Sequence, residues 1–363
     1  MAASAPKDPE LHALRGAVDA ADDRVRAALV ERMRLAREVG RLKNRLGLPV
    51  FDPAREREIL ERQGARRDDA LPPGAVAAIW REILSASRRL QAPVKVAYLG
   101  PEGTFTQQAA MARFGASADY APAATLAGAF RWLVDGLVDH AVLPVENTLQ
   151  GVVGETLDLL GALGEPLVTG EWSIAVHFVF AARAERLEEV RRIYSKREAF
   201  LQCSDFLRQP ALEKARQTEV ASTAAAARRA ADDPGGAALS TEIAATLAGV
   251  PVRRVGVEDN PRNRTRFFLL GRERPAPTGR DRTSVFCKAP HRVGGLVDVL
   301  AAFRDAGVNL TRLESRPMDD ADNFETWFYI DFEGHADEPR VRRLIDEHRM
   351  IWLGSYPRES PTP

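Results

Sequence analysis

Apolar or small residues recur every three or four positions along the first fifty residues of the chain. They are Leu11, Leu14, Val18, Ala21, Val25, Ala28, Leu35, Val39, Leu42 and Leu46. This spacing predicts one long amphipathic helix. Such a helix cannot bury its apolar stripe against itself, and only two shorter helices follow nearby. We therefore expect a second copy of the chain to cover the stripe, which makes the protein a homodimer.

Two further helices are predicted before residue 92. Asp52 and Pro53 are typical of an N-cap followed by a first-turn proline. After a loop that ends at Pro72-Pro73-Gly74, a third helix is predicted over residues 75–90, which places Ser87 and Gln91 on one face. These patterns predict an all-α module.

Two cations interrupt the apolar face of the first helix. Arg32 lies between Ala28 and Leu35, and Lys43 follows Arg32 by eleven residues, which returns it to nearly the same face. Cations on an apolar face are costly unless an anion meets them, so the pair is a candidate anion site. The alternative is that both side chains extend along the helix to solvent.

Strands alternate with helices between residues 94 and 275. The predicted strands cover residues 94–99, 141–145, 192–195, 218–221, 237–240 and 266–270. Alternation of this kind indicates an α/β architecture with parallel sheets, here in two lobes that flank a cleft. Ligands of such folds bind at the carboxyl ends of the strands. Asn147, Ser195 and Thr265 all lie at the edges of predicted strands or just beyond them.

The last part of the chain has the order strand, helix, strand, strand, helix, strand. This is the order of an α+β, ferredoxin-like domain. Short linkers near residues 91–93 and 275–279 set the expected boundaries, so the chain is multidomain, with domains at 1–92, 93–275 and 276–363.

Composition narrows the class of protein. Of the 363 residues, 45% are hydrophobic and 28% are charged, and the formal net charge is zero, so neither nucleic acid nor a membrane is an expected partner. Residues 1–92 hold 18 Lys and Arg against 14 Asp and Glu, a local charge of +4 that suits small anions. The two cysteines, Cys203 and Cys287, favour a reducing compartment and indicate no metal site. With no signal-like apolar segment, the protein is expected to be cytoplasmic.

Residues 10–91 resemble the all-helical chorismate mutase module. The resemblance implies a set of substrate contacts that comprises Arg15, Arg32, Lys43, Asp52, Arg55, Glu56, Ser87 and Gln91. Among these, Lys43 and Gln91 would act on the ether oxygen of chorismate as its charge grows. Arg15 lies about 260° around the helix from Arg32, and the resemblance implies that Arg15 serves the partner's site in an intertwined dimer.

Residues 94–275 resemble prephenate dehydratase, whose fold is similar to two-lobed periplasmic binding proteins. The matching pieces are Gly100-Pro-Glu-Gly-Thr-Phe, Leu143-Pro-Val-Glu-Asn147, Ser195 with Gln202-Cys203, and Asn263-Arg-Thr265-Arg-Phe267. The resemblance implies catalytic roles for Asn147, Ser195, Gln202 and above all Thr265. Lys196-Arg197 departs from the family pattern beside Ser195. The glycine-bearing turn is either a carboxylate site at a helix start or a plain connection.

Two hypotheses describe the arginines beside Thr265. In one, Arg264 and Arg266 hold an anion, and Arg264 or Arg266 assists Thr265 in donating a proton or a strong hydrogen bond to the departing oxygen. In the other, both arginines alternate out of an edge strand into water.

Residues 276–363 resemble an ACT domain. The matching motifs are Gly294-Gly295-Leu296-Val297 and Thr311-Arg-Leu-Glu314-Ser315-Arg316-Pro317, and the resemblance implies that they bind phenylalanine as an effector between paired domains. Gly295 replaces the alanine of the family, which we expect to loosen the helix start. Taken alone, Glu314 and Arg316 are typical of a surface ion pair.

Together these resemblances imply a bifunctional enzyme that needs no cofactor, converts chorismate to prephenate and prephenate to phenylpyruvate, and is regulated by phenylalanine. A mutase fused to a dehydrogenase is disfavoured because the chain contains no Gly-x-Gly. Two alternatives stay open: a phenylalanine sensor that has lost catalysis, and a dehydratase that acts on arogenate.

Overall fold

The computed structural model describes residues 8–48, 50–66, 70–163, 166–317 and 326–358. The chain divides between Pro93 and Val94 into two compact units. Within the described ranges, none of the helices combines the length and apolar character that a membrane crossing requires.

The first unit is all-helical. It consists of α1 (Pro9–Leu46), α2 (Pro53–Gly64) and α3 (Pro73–Gln91). The predicted start of α2 is confirmed, because the Asp52 carboxylate accepts the backbone N–H of Arg55 at 2.9 Å. Helix α1 ends at Gly47, whose φ of 64° is the left-handed cap conformation that glycine adopts readily.

The apolar stripe of α1 is uncovered within one chain. Its eight large members are 47–61% exposed; they are Leu11, Leu14, Val18, Val25, Leu35, Val39, Leu42 and Leu46. In the described part of α1 only Gly40 is buried, and it packs against α3 so closely that an added Cβ would lie 2.7 Å from the Cγ of Gln91. A stripe of this length left in water indicates a binding surface.

The second unit begins with two α/β lobes. Lobe 1 opens with β1 (Lys95–Leu99), α4 (Phe105–Phe114), β2 (Asp119–Ala123), α5 (Leu126–Val134), β3 (His140–Asn147), β4 (Gly151–Val152), α6 (Gly154–Leu163) and β5 (Leu167–Ala175). Lobe 2 contains β6 (Val179–Ala182), β7 (Arg192–Ser195), α7 (Arg197–Gln202), α8 (Ser204–Leu207), β8 (Arg216–Glu219), α9 (Thr223–Ala231), β9 (Gly236–Ser240), α10 (Glu242–Leu247) and β10 (Val252–Val255). The chain then returns to lobe 1 as β11 (Arg264–Gly271).

The two-lobed α/β fold is confirmed, and parallel pairing is confirmed for part of each sheet, because β1 is parallel to β2 and β3, and β7 is parallel to β8 and β9. Parallel pairing is wrong for the remaining strands, so both sheets are mixed. The lobe 1 sheet has the order β2-β1-β3-β11-β5, and β11 is antiparallel to both of its neighbours. The lobe 2 sheet has the order β10-β6-β9-β7-β8, and β6 is antiparallel to β9 and β10. The reason is the double crossing between lobes. Because β11 starts beside the crossing at which β5 ends, it must run away from that crossing and therefore against β5.

The C-terminal domain is ferredoxin-like, as predicted. It consists of β12 (Asp281–Lys288), α11 (Gly295–Asp305), β13 (Leu310–Pro317), β14 (Thr326–Glu333), α12 (Pro339–Glu347) and β15 (Ile351–Pro357). Its four strands form an antiparallel sheet in the order β13-β14-β12-β15.

The sheet of the C-terminal domain is covered on both faces. One face packs against α11 and α12 around a core that includes Val299, Phe303 and Val341. Side chains of the opposite face join the core of lobe 1; they are Phe286, Tyr329, Leu353 and Tyr356, packed with Val168, Phe268 and Leu270. Lobe 1 and the C-terminal domain therefore share one hydrophobic core.

Candidate active sites

The helical unit gathers donors at the junction of its helices. The Arg32 guanidinium donates to the Ser87 hydroxyl, and the Lys43 ammonium donates to the carbonyl of Val50 at 3.1 Å. Both cations are half-buried and bonded within the unit, so the alternative in which they extend to solvent is wrong. Burial lowers the pKa of Arg32, and the negative charge of Glu56 opposes that shift.

Glu56 and Gln91 complete this site. Glu56 is buried and accepts from the equally buried Arg88. The Gln91 amide donates to the carbonyl of Ser87 at 3.3 Å, while its own Oε1 is buried with no hydrogen-bond partner among the described residues. The donors of this group are the side chains of Arg32, Lys43 and Gln91, because the Ser87 hydroxyl accepts from Arg32 and donates to the carbonyl of Ile83 at 2.7 Å.

The other three predicted contacts have different surroundings. Arg15 is exposed on the first half of α1. Asp52 accepts from the backbone at the start of α2, and the exposed Arg55 pairs with Glu58.

Arg88 was missed by the sequence analysis. It follows the buried Leu84 by four residues, so it lies on the apolar face of α3, and that position could have identified it. Its guanidinium also lies 5.5 Å from the centre of the Phe51 ring.

In the second unit, β3 and β11 place Asn147 directly opposite Thr265. The Asn147 carbonyl oxygen accepts the backbone N–H groups of Leu149 and Gln150 at 2.9 and 3.1 Å, which fixes the orientation of its amide. The amide nitrogen then donates to the Thr265 hydroxyl oxygen at 2.9 Å. Because that oxygen accepts from Asn147, its own hydrogen is available to a ligand.

Asn263 connects this pair to lobe 2. It is 1% exposed; its Oδ1 accepts from Asn147 at 3.0 Å, and its Nδ2 donates to Gln202 at 3.0 Å. Its backbone carbonyl also accepts from Val176, so it joins the two crossings between the lobes. Asn263 belongs to the motif Asn263-Arg-Thr265-Arg-Phe267, but its position as a bridge between Asn147 and Gln202 was not predicted.

Ser195 does not join this hydrogen-bond chain. It is fully buried in β7, and its hydroxyl donates to the carbonyl of Leu239 at 2.7 Å. In the glycine-bearing turn, Gly100-Pro-Glu-Gly-Thr-Phe, backbone groups likewise bond to other groups of the protein. The Gly103 N–H donates to the Gln107 side chain at 2.6 Å, and the Gly103 carbonyl accepts from Thr241 of lobe 2 at 2.5 Å.

Both hypotheses for the arginines beside Thr265 are wrong for Arg266. Strand β11 lies inside the sheet, and Arg266 is 12% exposed on the face opposite Thr265 because successive strand residues alternate. There it pairs with Glu171 and with Asp331 of the C-terminal domain. Burial disfavours its charge, but Asp331 and its neighbours hold the pKa of Arg266 well above its usual value. Arg264 donates to the carbonyl of Ser173 at 3.2 Å.

The first C-terminal motif forms the start of α11. Gly294 caps the helix with a φ of 80°, and Gly295 is buried where an added Cβ would lie 2.0 Å from the carbonyl oxygen of Pro290. Gly295 therefore tightens the approach of the loop to the helix rather than loosening it. Leu296 is half-buried, and Val297 is 66% exposed.

The second motif lies on β13. Glu314 and Arg316 do not form the expected surface ion pair, because Glu314 accepts from Arg312 at 3.1 Å and Arg316 pairs with Asp158 on α6. Ser315 is exposed between them.

Three family models match the chain in succession. Residues 14–92 match chorismate mutase type II, residues 96–275 match prephenate dehydratase, and residues 283–348 match the ACT domain. Among solved structures, prephenate dehydratase from Arthrobacter aurescens in complex with L-Phe is 33% identical, with a TM-score of 0.67 over 74% of this chain and 92% of that one.

Two curated relatives extend the match to nearly the full length. The bifunctional chorismate mutase/prephenate dehydratase of Aquifex aeolicus is 35% identical over 96% of this chain and 98% of the relative. That of Pseudomonas aeruginosa is 34% identical with the same coverage. The chain therefore belongs to the family of bifunctional chorismate mutase/prephenate dehydratases, enzymes of phenylalanine biosynthesis that carry an ACT regulatory domain.

Proposed function

We propose that each activity lies in its own segment of the chain and acts through the residues that follow. Residues 1–92 rearrange chorismate to prephenate, residues 93–275 convert prephenate to phenylpyruvate, and residues 276–363 bind phenylalanine. The enzyme works in the cytoplasm as a homodimer that pairs through α1 and through the ACT domains. The observation that carries the dehydratase assignment is the 2.9 Å hydrogen bond from Asn147 to Thr265.

The mutase site needs to fold a flexible dianion, because a Claisen rearrangement requires neither an acid nor a nucleophile. Arg32 and Arg55 bind the carboxylates, with Ser87 beside them, and Lys43 and Gln91 donate to the ether oxygen as its negative charge develops. Asp52 and Glu56 accept from the substrate hydroxyl, and Arg88 keeps Glu56 in place.

The partner chain supplies Arg15. The exposed stripe of α1 supports a dimer through this helix, and Arg15 lies on a different face from Arg32. Co-expression of the Arg15→Ala and Lys43→Ala chains tests this arrangement, because each heterodimer then holds one intact site. We expect each variant alone to be inactive as a mutase, and the mixture to recover about a quarter of wild-type activity. No recovery in verified heterodimers would contradict the shared site.

In the dehydratase site, Thr265 assists the departure of the hydroxyl. The bond between the ring and its carboxylate breaks to release carbon dioxide, the electron pair enters the ring, and the C–O bond breaks. Thr265 donates its hydrogen to the leaving oxygen, and Asn147 stabilises the charge that develops on the Thr265 oxygen. Gln202 and Asn263 hold Asn147 in position across the lobes, and Ser195 supports the strand ends of lobe 2.

Thr265→Ala tests the dehydratase assignment in the full-length enzyme. We expect a loss of about 10²–10⁴-fold in kcat for prephenate with normal mutase activity, and partial recovery in Thr265→Ser. Mutase activity of the same sample measures the amount of folded enzyme. Near-normal dehydratase turnover in Thr265→Ala would overturn the assignment, and arogenate is assayed in parallel as a substrate.

Phenylalanine binds the ACT domains through Gly294-Gly295-Leu296-Val297 and through Glu314, Ser315 and Arg316. The exposed Val297 and Ser315 leave both motifs accessible for pairing with a second copy. In the wild type we expect phenylalanine to reduce the dehydratase kcat or the affinity for prephenate. Inhibition by phenylalanine should be weaker in Ser315→Trp, because the larger side chain fills the exposed position. Unchanged inhibition of that variant would contradict this placement of the site.

A further inference from the structure

A second pair of residues lies next to Asn147 and Thr265, on the opposite face of the same sheet. Across β3 and β11, Asn147 is the register partner of Thr265, and Glu146 is the register partner of Arg266. Because neighbouring residues of a strand point to opposite faces, Asn147 and Thr265 share one face, and Glu146 and Arg266 share the other.

The ACT domain contributes one cation and one anion, which bind Glu146 and Arg266 respectively. Arg312 of β13 is the register partner of Asp331 of β14. Arg312 donates to Glu146, and Arg266 donates to Asp331 at 2.8 Å. We name Glu146, Arg266, Arg312 and Asp331 the charge square.

The charge square is largely removed from solvent. The exposed fractions of its side chains are 0% for Asp331, 12% for Arg266, 17% for Arg312 and 29% for Glu146. Breaking one such pair leaves a largely buried carboxylate without its arginine, whereas Arg266 still pairs with Glu171 and Arg312 with Glu314, so each contact resists displacement mainly through its carboxylate. The backbone of β3 and β11 is thereby held at the two positions next to Asn147 and Thr265.

From this geometry we infer that the charge square positions Asn147 and Thr265 for dehydration, so that the ACT domain takes part in the dehydratase reaction even without its effector. This inference rests on the proposed roles of Asn147 and Thr265. It makes Glu146, Arg266, Arg312 and Asp331 positioning residues that act through the sheet, without contact with the substrate. Strand β13 also joins Arg312 to Glu314 of the effector motif, which gives the effector a direct route to Glu146.

The test variant is Arg312→Met in the full-length enzyme. It removes the charge that holds Glu146 while keeping a long side chain. Since a displacement of about 1 Å at a reacting group costs up to 10²-fold in rate, we expect dehydratase kcat to fall at least about tenfold. The KM for prephenate and the mutase kcat stay unchanged, and Arg312→Lys recovers most of the lost kcat.

Arg274→Met is the matched control. Arg274 pairs with Asp337 of the same ACT domain, but it follows the end of β11 and is 41% exposed. We expect dehydratase kcat in this variant to stay within about twofold of wild type because an exposed ion pair contributes little. Equal losses in Arg312→Met and Arg274→Met would overturn the inference.

Two double variants separate positioning from stability. In Glu146→Gln/Arg312→Met, Glu146 is neutral, and the charge that loses Arg312 as its partner is Glu314, whose side chain is 36% exposed. Resistance to unfolding by urea therefore recovers almost fully, whereas dehydratase kcat stays low. In Thr265→Ala/Arg312→Met the dehydratase kcat equals that of Thr265→Ala alone, because the group to be positioned is already gone. Positioning would be refuted if the kcat losses of Thr265→Ala and Arg312→Met multiplied in the double variant. It would also be refuted if kcat recovered together with stability in Glu146→Gln/Arg312→Met. A fully active Thr265→Ala enzyme would instead refute the proposed function.

Discussion

Replacing Asp331 by Asn probes the most deeply buried charge of the dehydratase–ACT interface. Asp331 is fully buried and accepts from Arg266 at 2.8 Å, from Ser284 at 2.6 Å and from Tyr329. The cluster around it is electrically neutral, with Arg266 and Arg282 balanced by Asp331 and Glu171. Asparagine has nearly the same volume, so the substitution leaves no cavity and removes one negative charge.

We expect Asp331→Asn to lower the free energy of unfolding of the second unit by about 3–5 kcal/mol, the usual cost of an uncompensated buried charge. Urea unfolding of the full-length protein, followed by tryptophan fluorescence, measures this difference. Asp337→Asn is the control, since Asp337 pairs with Arg274 and Arg342 while 37% exposed and should cost less than about 1 kcal/mol. A loss below about 1 kcal/mol for Asp331→Asn would refute a strong buried ion pair.

The pH dependence gives the same prediction a second test. Burial disfavours the Asp331 carboxylate, but Arg266 together with hydrogen bonds from Ser284 and Tyr329 holds the pKa of Asp331 below its usual value. A depressed pKa stabilises the fold above the unfolded-state pKa of about 4, and this contribution is lost as the pH falls through the folded-state pKa. The difference between wild type and Asp331→Asn should therefore be constant near neutral pH and shrink below about pH 4.

Three further predictions concern other parts of the second unit. Hydrogen bonds from Arg192 hold the pKa of Asp233 at about 2. Unfolding at a series of pH values should show that the wild type is more stable than Asp233→Asn near neutral pH and that this difference disappears between about pH 4 and 2. A stability difference that does not depend on pH would contradict this prediction. A Cβ at Gly354 would lie 2.1 Å from the carbonyl oxygen of Val168, whereas a Cβ at Gly170 meets nothing closer than 3.6 Å; thermal unfolding should therefore show Gly354→Ala about 1–3 kcal/mol less stable than wild type and Gly170→Ala much less affected. Burial raises the pKa of Cys203 and raises that of Cys287 to about 11; both thiols should resist a thiol reagent at pH 8 until the protein is unfolded, and rapid labelling of the native enzyme would contradict their burial.

Local patterns were sufficient to predict many elements of the fold, although β2, β5, β6 and β10 were not predicted. The three-to-four spacing from Leu11 to Leu46 predicted α1, and the element order after residue 276 predicted the ferredoxin-like sheet. The direction of β11 was not predictable in this way. It depends on where the chain re-enters lobe 1, which is set by a pairing with β5 and β3 between residues that are about 90 to 130 positions apart in the sequence.

The candidate sites show the same limit. The resemblance brought Asn147 and Thr265 into one set, and the structure adds the hydrogen bond between them. Arg266 was misinterpreted because its partner, Asp331, is 65 residues away on another domain, and alternation within a strand carries no information about what covers its other face. Arg88 was overlooked for a related reason, since its partner Glu56 lies on a different helix.

Because lobe 1 and the ACT domain share a single hydrophobic core, the enzyme cannot be divided into fragments at the boundary between them without exposing that core. A fragment that stopped before β12 would leave Phe268 and Leu270 without their aromatic neighbours Phe286 and Tyr356. Such a fragment would tend to aggregate rather than work as an unregulated catalyst. An ACT domain from another enzyme could replace this one only if it had the same aromatic residues on that face. The ACT domain and lobe 1 therefore have to be exchanged as one piece.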